Sequence, residues 1–177
     1  GGAQLASMDK EIATLRSKAK LKSKRPEYGY HSAIVKSPKT TKWVQIDMGE
    51  TADIQRIALR PCHDDFNNIN GGFGFPVRFK VEGSLTADFK KPILLFDQTK
   101  NDYPNPDIAP VSFQTKNKVR LLRVTATRLA KRSTDYIFAL AELEVFDVTE
   151  KNIALKAKVS SPDSIEAPIR WRRTNLT

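Results

Sequence analysis

The residues best suited to chemistry in this chain lie close together, in the segment 63–76, whose sequence is HDDFNNINGGFGFP. The side chains that can donate or accept hydrogen bonds are His63, Asp64, Asp65, Asn67 and Asn68, and the rings that can stack are Phe66, Phe73 and Phe75. A sugar presents hydroxyl groups in fixed directions and one or two apolar C–H faces, which planar polar side chains and an aromatic platform can bind. The segment therefore predicts a carbohydrate-binding loop.

A structural role is the competing interpretation of the same residues. Asp and Asn side chains build turns by bonding their own backbone, and the glycines at 71, 72 and 74 supply backbone angles that other residues resist. The phenylalanines could simply close the end of a core. Since a hairpin connection needs only about two to five residues, the length of the segment favours an irregular functional loop.

Two further long loops carry candidate groups. Arg132 and Tyr136 lie in or next to residues 128–135, and Arg132 could bind sugar hydroxyls or an anionic group, although a solvated charge explains it equally well. Tyr103, in residues 98–110, is a second stacking candidate. Long loops of a sandwich cluster at its ends, so we expect these segments to meet and form one site.

Catalytic motifs do not occur in the sequence. There is no nucleophile elbow, no zinc-protease helix motif, no P-loop and no pair of cysteines, so we expect a protein that is not an enzyme. The only other histidine, His31, is far from His63 in sequence. The single cysteine, Cys62, follows a strand-like run and is expected to be a small buried hydrophobe.

The elements that must position these groups are strands. Period-two alternation marks seven of them, at residues 42–48, 53–61, 77–84, 93–97, 111–115, 118–127 and 136–147. In the segment 77–84, for example, Val77, Phe79 and Val81 share one face. No helix-length segment separates the strands, which excludes parallel βαβ units and predicts an all-β, antiparallel sandwich.

The two ends of the chain differ from this centre. Apolar residues recur at helical spacing from Leu5 to Ala19 and predict an N-terminal α-helix over residues 3–24, which Pro26 ends. We therefore divide the chain into a helix and linker (1–25), a sandwich (26–150) and a C-terminal extension (151–177).

Charge is also uneven along the chain. The net charge is +10, but residues 1–42 hold 10 basic and 3 acidic residues, residues 151–177 hold 6 and 2, and the centre holds 14 and 15. The nearly neutral centre argues against specific nucleic-acid binding. No apolar run is long enough to cross a bilayer, so we expect no membrane insertion. The N-terminus lacks the apolar segment of a signal peptide; for an exported protein, that signal is removed or lies upstream.

Four segments in order resemble one known family: KWVQIDMGETADIQRIALR, FPVRFKVEGSLTADF, VRLLRVTATRLA and FALAELEVFD. The chain is similar, over about residues 42–147, to the discoidin family, also called the coagulation factor V/VIII C-type or galactose-binding-like family. The resemblance implies a jelly-roll β-sandwich of about eight strands. It also implies a non-catalytic carbohydrate-binding module of a larger, exported, multidomain protein that is secreted, periplasmic or on the cell surface. The alternative is a structural module that packs against a catalytic neighbour domain.

The resemblance has two further implications. Many members of the family bind a structural calcium ion with help from a carboxylate in the closing Ala-Glu-Leu strand, and Glu142 occupies that position here, although the usual Asp-bearing loop is replaced. Residues 152–177 look like the opening of a second module of the same kind. They could begin such a module or supply a strand that completes the first sandwich, and the sequence leaves both possibilities open.

Overall fold

The computed structural model describes residues 4, 7–8, 10–14, 27–64 and 69–177. At the N-terminus, residues 10–14 are helical, as are 4, 7 and 8, and the rest of the predicted helix lies outside the described residues. Within the described ranges, no helix has the length and apolar character that a bilayer crossing requires.

The described residues contain twelve strands, which make up the body of the protein. They are β1 (Tyr30–His31), β2 (Lys42–Arg60), β3 (Cys62–Asp64), β4 (Asn70–Phe73), β5 (Arg78–Ser84), β6 (Ile93–Gln98), β7 (Val111–Arg128), β8 (Ala130–Lys131), β9 (Tyr136–Ile137), β10 (Ala139–Leu140), β11 (Glu142–Asp147) and β12 (Lys158–Ser160). Two single 3-10 turns, Ile169–Trp171 and Arg173–Leu176, follow near the C-terminus.

The largest sheet has the strand order β11-β2-β7-β5-β6, and β12 also pairs with β2. Every pairing is antiparallel. The predicted all-β class and antiparallel sandwich are thus confirmed. The division into seven strands was wrong in detail. Residues 42–48 and 53–60 belong to the single strand β2, and residues 111–115 and 118–127 belong to the single strand β7.

The merged strands change partners along their length. The first half of β2 pairs with β12, at Asp47 to Gln45, while its second half pairs with β11, from Arg60 to Ile54. Between the halves, the register with β7 shifts twice, between Asp47 and Ala52 and between Ile54 and Arg56. Such irregularities bend a strand and let it serve both layers of a sandwich. Gly49 (φ 86°) lies at the first shift and donates its N–H to the Asp47 side chain (2.8 Å).

The core lies between the two layers and follows the predicted alternation. Phe79 and Val81 on β5 are fully buried, as are Leu122 and Val124 on β7. Burying a side chain of this size stabilises the fold by about 1.5–3 kcal/mol. The outward residues Arg78, Lys80 and Glu82 are partly exposed, so the face assignment in this strand is confirmed.

The C-terminal residues pack on this sandwich. After β12, Leu176 enters the main core with no exposed surface, and Trp171 is buried beside Cys62 and Ala139 in a second cluster. Earlier in this segment, the Asp163 carboxylate accepts a hydrogen bond from the backbone N–H of Ala33 (2.7 Å). We name residues 161–177 the C-terminal strap.

Asp163 also pairs with the ammonium group of Lys42, whose side chain is only 7% exposed. We expect Asp163→Ala to lower the free energy of unfolding by about 3 kcal/mol, because it leaves a buried ammonium and a backbone N–H without a partner. Urea unfolding measures this loss. Exposed Glu50 provides the control, with Glu50→Ala expected to stay within about 0.5 kcal/mol. A double variant, Lys42→Met with Asp163→Leu, should recover most of the loss; an equally unstable double variant would contradict the explanation.

His31 gives the fold a pH dependence. Burial lowers the pKa of His31, a contribution that outweighs the hydrogen bond between Nδ1 and the Ser32 carbonyl oxygen (2.7 Å), and the charge of Arg132 lowers it further. The unfolded chain takes up a proton near the ordinary histidine pKa of about 6.5. Since the unfolded state binds more protons below that pH, the stability present above about pH 6.5 is lost as pH falls toward the lower folded pKa.

We therefore expect the free energy of unfolding to decrease between about pH 7.5 and 5.5, and His31→Gln to flatten this dependence. Urea unfolding at three pH values measures the slope, which is independent of any constant loss of stability in the variant. His63→Gln is the matched control and should keep the His31 contribution. An unchanged slope in His31→Gln would show that other groups cause the pH dependence.

Candidate functional site

Residues 62–64 and 70–73 pair as the two strands of a hairpin, where the sequence predicts an irregular loop. Strands β3 and β4 pair at Cys62↔Phe73, His63↔Gly71 and Asp64↔Asn70, with a register shift after the first pair. Glu27 adds a third row, since Glu27 and His63 exchange both backbone hydrogen bonds (2.8 and 3.0 Å). The prediction of an irregular segment was wrong because polar and glycine residues conceal strand periodicity, whereas the backbone alone supplies the ladder bonds.

The glycines of this hairpin allow a second loop to approach closely. Gly72 (φ 76°) has a left-handed conformation, and a Cβ atom built on it would lie 1.7 Å from Oδ1 of Asn105. In addition, Asn105 donates its Nδ2 amide to the carbonyl oxygen of Gly71 (3.2 Å), while its Oδ1 accepts the N–H of Asp107 (2.8 Å). The 98–110 loop therefore lies directly on the β3–β4 hairpin.

The third long loop reaches the same end of the sandwich. At the start of this loop, Nη1 of Arg128 lies 3.6 Å from the Asp102 carboxylate of the 98–110 loop. Arg132 is close enough to His31 for its charge to lower the histidine pKa, and the His31 ring lies 5.8 Å from that of Phe73, measured between centroids. The structure thus brings all three loops together. We name this assembly the rim: residues 62–64, 69–76, 98–110 and 128–135.

Arg132 and Asp135 form a fixed pair at the rim. The guanidinium donates from Nε (2.8 Å) and Nη2 (2.7 Å) to the two carboxylate oxygens, and its side chain remains 38% exposed. Hydrogen bonds from Arg132 lower the pKa of Asp135, so the carboxylate is ionised at neutral pH. This geometry leaves one edge of a planar donor group available to a ligand.

The other predicted site residues differ in burial, and some of them lie outside the described residues. His63 is half-buried and Asp64 is buried. Tyr136 is half-buried against the main core, and its backbone pairs with Val35. Asp65, Phe66, Asn67 and Asn68 lie outside the described residues, so their part in a site stays a prediction.

Two predicted stacking rings belong to the protein interior instead. Phe75 is 4% exposed and packs edge-on against Phe79, with centroids 5.6 Å apart. Tyr103 covers both rings, with centroids 5.9 Å from Phe75 and 5.8 Å from Phe79. Phe75 therefore has the structural role that the sequence offered as the alternative, since it closes the core beside Phe79.

Sequence reasoning missed an aromatic cluster at the base of the rim. Trp171 of the C-terminal strap packs edge-on against Tyr28 (4.6 Å) and His31 (4.9 Å), and lies 5.9 Å from Phe73, all measured between ring centroids. These four rings come from three distant parts of the chain. The aromatic residue in the basic sequence RWRR was the one available signal, since an isolated Trp in a charged segment usually packs against something.

A charged network flanks the 98–110 loop and was also missed. The Asp102 carboxylate accepts from Nε of Arg78 (2.6 Å) and lies 3.6 Å from Nη1 of Arg128. The hydrogen bond from Arg78 lowers the pKa of Asp102, and the nearby Arg128 charge lowers it further. Two partly exposed guanidinium groups share one carboxylate, which leaves this side of the rim with a net positive charge.

Glu142 has surroundings that do not suit a cation. Its Oε2 atom lies 3.6 Å from Nε of Arg60, which also binds Glu144. Burial raises the pKa of Glu142, as does the neighbouring Glu144 charge, against the opposing effect of Arg60. A calcium site needs six to eight oxygen ligands, and no group of three or more His, Cys, Asp or Glu suited to a metal occurs within the described ranges. The calcium site stays a prediction.

Comparisons with known proteins identify the fold. No family model and no curated protein sequence matches the chain. Among solved structures, it is similar to the family 32 carbohydrate-binding module of NanJ from C. perfringens, solved in complex with galactose, with a TM-score of 0.50, 14% identity, and coverage of 65% of this chain and 73% of that one.

Two further structures are similar. The first is CBM32-3 from a family 31 glycoside hydrolase of Clostridium perfringens (TM-score 0.47, 22% identity, coverage 65% and 71%). The second is chitosan-binding module 1 of a chitosanase/glucanase from Paenibacillus sp. IK-5 (TM-score 0.47, 16% identity, coverage 64% and 74%). At these identities, the comparison with the NanJ module establishes one property of this chain: it has the β-sandwich fold of that module.

Proposed function

We propose that this protein is a carbohydrate-binding module and that the rim is its binding site. The observation that carries the proposal is the meeting of three over-long connections. The Asn105–Gly71 hydrogen bond joins the hairpin to the 98–110 loop, and the Asp102 carboxylate, 3.6 Å from Nη1 of Arg128, joins that loop to residues 128–135. Connections of this length that a rigid scaffold holds together are typical of binding sites. The NanJ module, which shares the fold, was solved with galactose bound.

Arg132 is the residue to which we assign the polar recognition. Asp135 fixes the plane of its guanidinium, so little conformational entropy is lost when a ligand binds the remaining N–H groups. Sugar hydroxyls accept such charge-assisted hydrogen bonds well. The Asp135 carboxylate can accept in return from a neighbouring hydroxyl, so the pair matches the alternating donors and acceptors of a sugar ring.

The second polar contribution comes from the 98–110 loop. Asn105 and Asp107 are exposed, and the contacts of Asn105 with Gly71 and with the N–H of Asp107 hold this side chain in place. An amide held in this way can still use its second N–H to bind a ligand. Phe73 supplies the apolar face: its ring is half-buried, and Trp171 and His31 support it from below.

We expect the affinity to be low. The residues assigned here line an open surface, and a ligand that leaves most of its own surface in water gains little free energy from burial. Millimolar to micromolar dissociation constants correspond to about 4–8 kcal/mol, which a few charge-assisted hydrogen bonds and one stacked ring can supply.

A glycan-array screen, followed by calorimetric titration of the best neutral ligand, tests the rim. We expect Arg132→Ala to weaken binding at least about tenfold, since it removes a charge-assisted donor. Asn105→Ala and Phe73→Ala should weaken it less. Arg132→Lys should recover only part of the loss, because an ammonium group cannot replace a planar fork. Substitutions at His63, Asp64, Asp65, Asn67 and Asn68 extend the map to the predicted hairpin residues.

Thermal unfolding of every variant separates binding from stability. The exposed Arg132–Asp135 pair contributes at most about 1 kcal/mol, so Arg132→Ala should stay folded. Lys90→Gln, an exposed substitution on the β5–β6 connection, is the control for loss of one positive charge. Absence of binding to any glycan would reject the proposed function, and full binding in Arg132→Ala and Asn105→Ala together would reject the rim as its site.

A second candidate function is an interaction module that packs on a neighbouring domain. Strand β6 is at the edge of the large sheet, and Leu94 (54%) and Ile93 (37%) on it are exposed, as is Leu85 (48%) nearby. Natural sheet edges usually avoid exposed apolar side chains, which favour association. If the glycan screen is negative, Leu94→Lys should abolish the binding of a neighbouring domain from the parent protein.

The wider setting of the module is also a proposal. We infer that it functions outside the cytoplasm as part of a multidomain protein, without catalytic activity, with a carbohydrate and neighbouring domains as its partners. The near-neutral centre of the sequence supports the absence of specific nucleic-acid binding.

A further inference from the structure

A cleft lies on the two long strands β2 and β7, away from the rim. It has a volume of about 740 Å³ and is bordered by Asp53, Ile54 and Gln55 of β2, by residues 114–118 of β7, and by Val148. This is the place where the β2–β7 register shifts between Ile54 and Arg56. Along β2, the cleft is about eight residues from the start of the hairpin, or roughly 25 Å at 3.3 Å per residue.

Two lysines form one wall of the cleft. Lys116 and Lys118 are two residues apart on β7 and are both exposed, whereas Val119 is fully buried, so the two ammonium groups share the outer face of the strand. Over the part of the chain that the structure describes, neither side chain has a hydrogen-bond or ion-pair partner. The cleft thus has two ammonium groups without an ion-pair partner among the described residues.

The opposite wall is polar, with an apolar margin. Asp53 lies directly across the ladder from Lys118, yet the two form no ion pair, and the Asp53 carboxylate likewise has no side-chain partner within the described ranges. Gln55 and Gln114 add amide groups, and Val148, which is 67% exposed, adds an apolar surface. The cleft therefore combines unpaired cations, one carboxylate, amides and a small apolar patch.

The ligand must satisfy all of these groups together. A simple anion such as phosphate could neutralise the lysines, but it would face the Asp53 carboxylate. A saccharide with carboxylate or sulfate substituents offers anionic oxygens to Lys116 and Lys118, hydroxyl donors to Asp53 and C–H groups to Val148. A cleft of this volume lies within the range of about 300–1,000 Å³ that is typical of small-molecule sites.

We propose that this cleft is a binding site for an acidic saccharide, separate from the rim. A single-stranded nucleic acid also presents regularly spaced anions, but its recognition uses aromatic side chains on which bases stack. No aromatic residue is among the described residues that border the cleft. The chemistry of the cleft therefore favours a sugar acid over a nucleotide.

Calorimetric titration with trigalacturonate and with a chondroitin sulfate oligosaccharide tests the proposal. We expect at least one of the two to bind the wild-type protein, with an affinity that falls as salt is added. Replacing both lysines, Lys116→Gln with Lys118→Gln, should weaken that binding at least about tenfold, since both substitutions remove charge-assisted bonds. The matched control, Lys90→Gln with Lys91→Gln, makes the same change of net charge outside the cleft and should bind as the wild type does.

The rim variants separate this site from the proposed function. Arg132→Ala should keep its binding of the acidic saccharide, and the Lys116/Lys118 variant should keep its binding of neutral glycans at the rim. The proposal is overturned if neither acidic saccharide binds, if binding survives in the Lys116/Lys118 variant, or if the Lys90/Lys91 control loses binding equally. It is also overturned if an oligothymidylate binds through the same two lysines and the acidic saccharides do not compete with it.

Discussion

The antiparallel ladder between β2 and β7 is the interaction on which the rest of the structure depends. It extends from Lys42↔Ala126 to Leu59↔Val111, and every other strand of the large sheet pairs with one of these two strands or with β5 beside them. Its two register shifts let one ladder belong to both layers of the sandwich. At one end, the chain leaves β2 into the hairpin and enters β7 from the 98–110 loop. The meeting of these loops is therefore a consequence of strand pairing.

Close backbone contact then gives the rim its shape. The hairpin and the 98–110 loop meet where glycines stand, and a Cβ atom on Gly72 would overlap the Asn105 side chain. The C-terminal strap supports the other side by placing Trp171 against His31 and Phe73. A polar surface on a rigid aromatic base is suited to ligands that need oriented hydrogen bonds, because little order has to be created when they bind.

The sequence was sufficient to predict the fold, because alternation of apolar and polar residues indicates which side chains of a strand are buried. Phe79 and Val81 could be placed on the inner face from their period alone. It was insufficient where backbone bonding or distant contacts decide the outcome: the β3–β4 pairing has no side-chain periodicity, and the contact of Trp171 with Tyr28 joins residues far apart in the chain. The sequence predicted which loops form the candidate site, but it did not predict which of their side chains are buried. Phe75 and Tyr103 had the composition of ligand contacts and became part of the core.

The distribution of charge is a second property that the sequence predicts only in part. The excess of positive charge in the flanks suggested that the centre contributes little electrostatically. The structure shows that a neutral total is compatible with local excess charge. Asp47 pairs with Arg120 and Asp102 with Arg78, whereas Lys116 and Lys118 have no ion-pair partner in the part of the chain that the structure describes. Electrostatic attraction depends on local charge at distances within about 8–10 Å in physiological salt. The lysines therefore supply local positive charge even on a nearly neutral domain, and in our proposal the end and the middle of one ladder bind chemically different sugars.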